Sequence, residues 1–355
     1  MKKLIEDRSA VSLAANMVIP FTIQIHITER CNLNCRHCYQ ENELTEEMNL
    51  KEIKDYTQEI LEVVNDWADK SKITFLPNVN LLGGEVFVRK DWESILDFLS
   101  KNKIDYYILT NATLIDKEIA KKLKAFHVSG VQVSLDGPEK IHDYIRGKGS
   151  FRKAVIGINN LIKNEIDVTL NTTISKINYR FFEDLFEIAK SLQVSGLVFS
   201  RLVPTGHSQN SKDLILSKDE LRTVYNFVKE KNKNSTFKIN TGDPIASLYI
   251  DCETFYGFGG CAAGFAGITV LSDATLVPCR RLKIPIGNLK RDSFREIWSN
   301  SKVLNKLRDQ KNYFGKCKEC SEFMKCRGCR AVSFALSTRQ EDKYLDEDPQ
   351  CIFFD

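Results

Sequence analysis

Three cysteines near the N-terminus, Cys31, Cys35 and Cys38, are spaced closely enough to bind one metal cluster. Zinc sites and fully ligated electron-transfer clusters take four ligands, and the only further candidate within this loop is His37. If the three thiolates bind three irons of a 4Fe-4S cluster, the fourth iron keeps an open position that a substrate or cofactor can chelate. The spacing therefore predicts a reactive iron site.

The remaining cysteines form a second group near the C-terminus. They are Cys252, Cys261, Cys279, Cys317, Cys320, Cys326, Cys329 and Cys351. Eight thiolates are enough for two closed sites of four ligands each, either iron-sulfur clusters or zinc sites. The total of 11 cysteines is odd, and the chain start is too charged for a secretory signal, so we expect metal binding rather than disulfides.

Composition sets the broad class of the chain. Its 355 residues are 43% hydrophobic and 28% charged, as in a soluble globular protein with room for a catalytic core and a smaller domain. The net charge of +4 is scattered along the chain, which gives no support for nucleic-acid binding. No apolar run approaches the roughly 20 residues of a membrane span. We therefore expect a cytoplasmic protein without a membrane contact.

The elements that must position these cysteines follow an alternating pattern between residues 21 and 240. Short β-rich runs are followed by amphipathic stretches of helical length, which is the βα signature of a parallel sheet. The strands are predicted at 21–27, 77–82, 105–109, 130–135, 166–174 and 195–200. The helices are predicted at 50–67, with Asn49 as its cap, and near 90–101, 116–125, 150–164, 178–192 and 217–231. About six units predict an α/β fold, a partial (β/α)6 TIM-like barrel over residues 1–240.

One face of the predicted strands is polar. Apolar residues such as Ile23, Ile25, Val131 and Leu170 alternate with residues that the barrel turns inward. The inward set is Gln24, His26, Gln132, Ser134, Asp136, Thr169, Asn171 and Thr173. Because unpaired buried polar groups are costly, this lumen is predicted to bind a polar ligand or water; a sheet with one solvated face remains the alternative.

Beyond residue 240 the alternation stops. A Gly-rich stretch precedes a hairpin predicted over 268–277, with its turn at Ser272-Asp273-Ala274, and one helix is predicted around 293–298. Residues 241–355 are thus predicted as a Cys-rich iron-sulfur domain that depends on bound metal for much of its stability.

The first cysteine loop, CNLNCRHC, resembles the CxxxCxxC motif of radical S-adenosylmethionine enzymes. The stretch Leu82-Gly83-Gly84-Glu85 resembles the GGE motif of these enzymes, and SLDGP from Ser134, with Arg146-Gly147, resembles the subgroup that modifies peptides. We expect His142-Asp143 to be part of a solvated helix. The resemblance and the positions at strand ends together predict contacts to S-adenosylmethionine from His37, Tyr39, Gly83, Gly84, Glu85, Asn111, Ser134, Arg146, Asn171 and Arg201.

The C-terminal cysteine spacing resembles the SPASM domain, which carries two auxiliary 4Fe-4S clusters. The resemblance implies Cys252, Cys261, Cys279 and Cys329 for a nearer cluster, and Cys317, Cys320, Cys326 and Cys351 for an outer one. Ala274 stands where the pattern has Gly. Anaerobic sulfatase-maturating enzymes have an acidic residue directly after the third auxiliary cysteine, whereas this chain has Arg280, which argues against sulfatase maturation.

Together these resemblances imply an enzyme with three 4Fe-4S clusters that cleaves S-adenosylmethionine to a 5′-deoxyadenosyl radical and oxidatively modifies a substrate. A ribosomally made peptide that acquires a thioether or carbon-carbon crosslink is the main expectation. Only thirty residues precede Cys31, so a separate recognition protein is one expected partner, beside a flavodoxin or ferredoxin as electron donor. The alternatives are modification of a small molecule or tetrapyrrole precursor, and a non-enzymatic electron carrier. We expect Gln24, His26 and Arg280 to contact the substrate.

Overall fold

The computed structural model describes residues 18–41, 46–71, 74–250 and 259–353. Strands β1 to β7 alternate with helices, and three short strands follow in the C-terminal region. The strands are β1 Val18–His26, β2 Thr74–Leu82, β3 Tyr106–Thr110, β4 Gly130–Ser134, β5 Val168–Ile174, β6 Gly196–Arg201, β7 Ile239–Thr241, β8 Gly267–Val270, β9 Thr275–Val277 and β10 Gly287–Asn288. The six predicted strands are confirmed to within a few residues, while the short β7 lacked a sequence signal.

Ten α-helices lie within the described residues. They are α1 Leu50–Ser71, α2 Trp92–Lys101, α3 Lys117–Ala125, α4 Glu139–Arg146, α5 Ser150–Lys163, α6 Phe182–Ser191, α7 Lys218–Asn234, α8 Phe294–Asn300, α9 Lys302–Arg308 and α10 Arg330–Leu336. The predicted cap of α1 is confirmed, because Asn49 Oδ1 accepts from Glu52 N and Glu52 Oε2 accepts from Asn49 N. No helix in these ranges is long and apolar enough to cross a membrane.

The strands form one sheet in the order β10-β9-β8-β1-β2-β3-β4-β5-β6-β7. Strands β1 to β7 pair in parallel with their neighbours in sequence order. In the described part of the chain β7 and β10 do not pair, so the barrel is partial, as predicted. Strand β8 pairs in parallel with β1, which places the region after residue 240 on the barrel's own sheet.

The predicted hairpin in the C-terminal region is confirmed by the antiparallel pairing of β8 with β9. Ala274 in its turn has φ of 70°, a left-handed conformation that disfavours any residue with a Cβ. This explains why the related pattern has Gly there.

Apolar packing joins helix α8 of the C-terminal region to the first strand and the first helix. Trp298 of α8 packs on Phe21 of β1 and on Trp67 of α1, with ring centroids 5.2 and 5.4 Å apart. Phe294 N donates to Glu59 of α1 at 2.6 Å. This contact fixes the C-terminal region beside β1, the strand that leads into Cys31.

Candidate active site

The loop after β1 packs on the loop after β2. Gly84 N donates to Thr28 O and Glu85 N donates to Arg30 O, both at 2.9 Å. A Cβ on Gly84 would lie 2.2 Å from the carbonyl oxygen of Arg30, so only glycine permits this approach. The two motifs found in the sequence therefore meet at the carboxyl ends of adjacent parallel strands.

The three N-terminal cysteines border one cavity. Cys38 N donates to Cys35 O at 3.2 Å, and Arg36 N donates to Ile145 O at 2.9 Å, which ties the loop to α4. Burial raises the pKa of the Cys35 thiol to about 11, against the opposing influence of Arg146. Three half-buried thiols that border one cavity beside a guanidinium fit a site completed by a metal cluster.

A buried carboxylate orders the far side of this loop. Asp136 Oδ2 accepts from Arg146 Nε at 2.5 Å and lies 3.0 Å from His37 Nε2. Burial alone would raise the pKa of Asp136, but Arg146 and His37 hold the pKa well below its usual range. Arg146 Nη1 lies 4.0 Å from Cys35 Sγ. The guanidinium of Arg146 thus contacts both Asp136 and the cysteine loop.

Glu85 is 1% exposed, and its carboxylate accepts hydrogen bonds from two residues at the end of β3. Thr110 Oγ1 donates to it at 2.7 Å and Asn111 N at 2.8 Å. Asn111 Nδ2 reaches back to Asn32 Oδ1 at 2.9 Å. The ends of β2 and β3 and the cysteine loop are thereby connected through polar contacts.

The cavity holds about 980 Å³ of space between atoms, part of it open to solvent. Eight of the ten residues predicted to contact S-adenosylmethionine border it together with the three thiols: His37, Tyr39, Gly83, Gly84, Asn111, Ser134, Arg146 and Asn171. Arg280 borders it as well, whereas Glu85 and Arg201 do not. The structure therefore brings most of the predicted set to one place, although the role of each residue remains a prediction.

Several residues of the cavity were missed in the sequence. Ser200 lies on the face of β6 that turns toward the cavity. The alternation of side chains along a strand could have predicted this position. His207 lies in a short 3-10 turn, Gly206–Ser208, where Ser208 N donates to Cys38 O and His207 N donates to Gln40 O, both at 3.1 Å. This turn braces the third cysteine, a contact without any local sequence signal.

Four sequence expectations need correction, the first two on β1. His26 is fully buried and lies outside the cavity lining, with its Nδ1 3.3 Å from Glu29 Oε1 and its ring 6.2 Å from that of Tyr39. Gln24 lies beside β8, where its Oε1 accepts from Thr269 at 3.1 Å. Neither side chain is among the residues that line the cavity.

The other two corrections concern Arg201 and His142. Arg201 is 3% exposed and donates to Asp243 at 2.6 Å and to Asp348 at 2.8 Å, so its guanidinium is occupied away from the cavity. His142 is 1% exposed rather than solvated, and its Nδ1 accepts from Asp136 N at 3.2 Å. Both side chains are structural.

The outer group of C-terminal cysteines surrounds a second cavity. All four predicted members, Cys317, Cys320, Cys326 and Cys351, border it. Gln310 Nε2 donates to Cys320 O at 2.9 Å, and Arg330 Nη2 lies 3.9 Å from Cys317 Sγ. The four cysteines that the resemblance implied for the outer cluster thus line one cavity, and their role as ligands stays a prediction.

Three members of the nearer group are described, and Cys252 lies outside the described residues. Cys261 N donates to Cys326 O at 2.9 Å, and Cys329 N donates to Asp348 at 2.9 Å. Burial raises the pKa of Cys329 to about 11, opposed mainly by Arg281. These contacts connect the nearer group to Cys326 of the outer group and to Asp348, which pairs with Arg201 at the end of β6.

Nowhere in the described ranges do three Cys, His, Asp or Glu side chains converge on the position of one ion. A zinc site needs four ligands at about 2.0–2.3 Å from a single point. The thiols border cavities, and their chemistry suits either zinc or an iron-sulfur cluster.

A parallel partial barrel with a three-cysteine loop at the mouth of its first strand, extended by a Cys-rich region, defines a class of iron-sulfur enzymes. The radical SAM superfamily model matches residues 25–196, and the SPASM iron-sulfur cluster-binding model matches residues 261–321. The chain belongs to the radical SAM superfamily and carries a SPASM domain, and it is an enzyme.

Relatives extend over nearly the whole chain. The AdoMet-dependent heme synthase of Methanosarcina barkeri is 32% identical over 94% of this chain and 97% of its own length. The mycofactocin maturase MftC of Mycolicibacterium smegmatis is 27% identical over 94% of this chain and 83% of its own length. The framework is thus shared by proteins named for different products.

Two solved structures share the fold. Native anSMEcpe with bound AdoMet and Kp18Cys peptide has a TM-score of 0.72 at 20% identity, over 94% of either chain. Streptococcus suis SuiB bound to precursor peptide SuiA has a TM-score of 0.73 at 17% identity, over 97% of this chain and 79% of SuiB. These similarities confirm the predicted fold class.

Proposed function

We propose that this enzyme oxidatively modifies a ribosomally made peptide in the barrel cavity, with three 4Fe-4S clusters. A cluster at Cys31, Cys35 and Cys38 with bound S-adenosylmethionine would supply a hydrogen-abstracting radical. The polypeptide holds the reactants beside these thiols and excludes water from them. The C-terminal thiols would hold two further clusters able to accept an electron from the substrate.

The polar lining of the cavity carries the peptide assignment. Gln132, Ser134, Asn171, Thr173 and Ser200 present amide and hydroxyl groups to the same space. A peptide backbone offers donors and acceptors that such groups can pair. Leu33, Leu82 and Leu109 add apolar surface to the same cavity.

Arg280 and Arg281 give the cavity a cationic side. Guanidinium groups pair well with carboxylates, so acidic groups of the substrate are expected to bind there. The full-length similarity to the MftC maturase supports a peptide, delivered with or without a separate recognition protein. A flavodoxin or ferredoxin is proposed as the electron donor.

The experiment is an anaerobic assay of the reconstituted enzyme with dithionite, S-adenosylmethionine and the peptide encoded next to its gene. Mass spectrometry is expected to show a product two hydrogens lighter than the peptide for a crosslink, with 5′-deoxyadenosine formed. Arg280→Ala is expected to lower product at least tenfold while uncoupled cleavage of S-adenosylmethionine stays near its original rate. The exposed Arg152, which pairs with Glu139, provides the control variant Arg152→Gln.

A second candidate is oxidation of a tetrapyrrole side chain. The heme synthases of Methanosarcina barkeri and of Nitratidesulfovibrio vulgaris match 97% and 90% of their own lengths, and the arginine pair suits propionate groups. The same assay with iron coproporphyrin III as the probe separates the candidates. A porphyrin product without any change in the peptide contradicts the peptide assignment.

A further inference from the structure

The turn that follows β6 brings a histidine to the wall of the barrel cavity. His207 lies in the 3-10 turn Gly206–Ser208 and borders the same cavity as the three N-terminal thiols. The residue is exposed, so its imidazole lies where the cavity opens to solvent. Within the described ranges the ring has no hydrogen-bond partner. The imidazole is therefore available to a bound substrate.

The backbone of this turn is held against the cysteine loop. His207 N donates to Gln40 O at 3.1 Å. Ser208 N donates to Cys38 O, also at 3.1 Å. A Cβ on Gly206 would lie 2.3 Å from the carbonyl oxygen of the residue between these two acceptors, and its φ of 61° favours glycine. The position of His207 is thus fixed relative to the loop that carries the N-terminal cysteines.

The part of the cavity wall that the structure describes contains no Asp or Glu side chain. Its permanent cations are the guanidinium groups of Arg146, Arg280 and Arg281. These groups donate hydrogen bonds and do not accept protons. A proton released from a substrate in this space therefore meets no carboxylate on the described wall.

Two imidazoles border the cavity, and their surroundings differ. His37 Nε2 lies 3.0 Å from Asp136 Oδ2, and His37 Nδ1 is buried, so this ring is enclosed by the polypeptide. His207 is exposed instead. Imidazole is the side chain that gains and loses a proton near neutral pH. A proton accepted by His207 can pass directly to water.

The proposed crosslinking reaction needs a proton acceptor. It joins a substrate carbon to a nucleophile that carries its own hydrogen, such as a thiol, so two bonds to hydrogen break and one new bond forms. The carbon loses a hydrogen atom to the 5′-deoxyadenosyl radical, and one electron passes to an oxidised iron-sulfur cluster of the C-terminal region. The second hydrogen leaves the nucleophile as a proton, for which a base must be present.

We propose that His207 is a catalytic residue that accepts this proton from the substrate nucleophile and releases it to solvent at the opening of the cavity. The inference rests on the proposed function, since it requires a substrate that forms such a bond. It adds a base to the reaction on a wall that carries arginines but no described carboxylate.

The test is the anaerobic assay with the peptide encoded next to the gene. His207→Ala is expected to lower the crosslinked product per 5′-deoxyadenosine about a hundredfold, while 5′-deoxyadenosine still forms near the wild-type rate. Imidazole added to this variant is expected to restore product about tenfold, because it replaces the missing base. His207→Gln fills the space without a basic nitrogen, so it should be impaired and should not respond to imidazole.

The control variant is His127→Gln, because His127 is exposed and lies outside the cavity lining; product near the wild-type level is expected. Wild-type product yields in His207→Ala and His207→Gln overturn the proposal. A loss that imidazole does not restore in His207→Ala, or an equal loss of 5′-deoxyadenosine, also overturns it and assigns His207 to binding or folding. A wild type that forms no peptide product contradicts the proposed function itself, which keeps the two failures apart.

Discussion

Arg146 and Asp136 form a buried ion pair, with Nε 2.5 Å from Oδ2, that connects the end of β4 to the cysteine loop. The side chain of Asp136 has no exposed surface, and its Oδ1 accepts from Thr173 N of β5 at 3.0 Å. The Asp136 carboxylate therefore links the Arg146 guanidinium to the backbone of β5. This fixes the guanidinium beside Cys35.

Asp136→Asn is expected to lower the free energy of unfolding by about 3–5 kcal/mol, because it leaves Arg146 buried without a counter-charge. Anaerobic denaturant titration measures this change. The control is Glu139→Gln, whose exposed pair with Arg152 contributes at most about 1 kcal/mol. Equal losses in the two variants would show that the buried pair does not hold this region together.

His142 is expected to make stability fall as the pH drops from about 6.5 to about 4. Burial, with Arg146 nearby, lowers its pKa in the folded protein to about 4, below the value near 6.5 of an unfolded chain. Above that window both states are neutral and the residue has no effect. Within the window only the unfolded state gains the proton, so unfolding becomes more favourable as the pH falls.

The measurement is the free energy of unfolding at several pH values for the wild type and for His142→Gln. The variant lacks the titrating ring, so its stability should depend less on pH within this window. Parallel curves for the two proteins would assign the acid sensitivity to other groups.

Gly84→Ala is expected to weaken binding of S-adenosylmethionine at least tenfold. The new Cβ would lie 2.2 Å from the Arg30 carbonyl oxygen, which forces the cysteine loop away from the loop after β2. Equilibrium binding under anaerobic conditions measures the loss. Gly242→Ala is the control, because no atom lies within 4 Å of its added Cβ, and binding close to wild type is expected there.

Substitutions in the two groups of cysteines are expected to affect different steps of the reaction, cleavage of S-adenosylmethionine in one case and formation of the substrate product in the other. Replacing Cys31, Cys35 and Cys38 by Ala should abolish 5′-deoxyadenosine formation, because the proposed open iron is lost. Replacing Cys317 and Cys320 should leave some cleavage while the substrate product disappears. Deoxyadenosine made by the first variant under dithionite would contradict the role proposed for that loop.

The metal content tests the number of clusters. Three 4Fe-4S clusters correspond to about twelve irons and twelve sulfides per chain after anaerobic reconstitution. Each outer-group variant is expected to lose about four of each. Stoichiometric zinc without sulfide in the anaerobically purified protein would replace the iron assignment by the zinc alternative.

The local parts of this site were readable from the sequence, because each depends on a short period or spacing. Strand alternation placed Gln132, Ser134 and Asn171 on the inner face, and all three border the cavity. The cysteine loop and the glycines at 83 and 84 could be recognised because each motif spans only a few consecutive residues. The same local reasoning predicted the cap at Asn49.

The tertiary structure decided which inward-facing residues of the strands border the cavity. It also decided which arginine side chains border it rather than pair with carboxylates elsewhere. His26 has the correct parity on β1, but the loop that follows folds Tyr39 over it. Arg201 ends its strand as a ligand residue would, yet it pairs with Asp348, a residue 147 positions away. Contacts over such distances arise from how the elements pack, which no local period encodes, whereas the three cysteines of the loop lie within eight residues of one another in the chain.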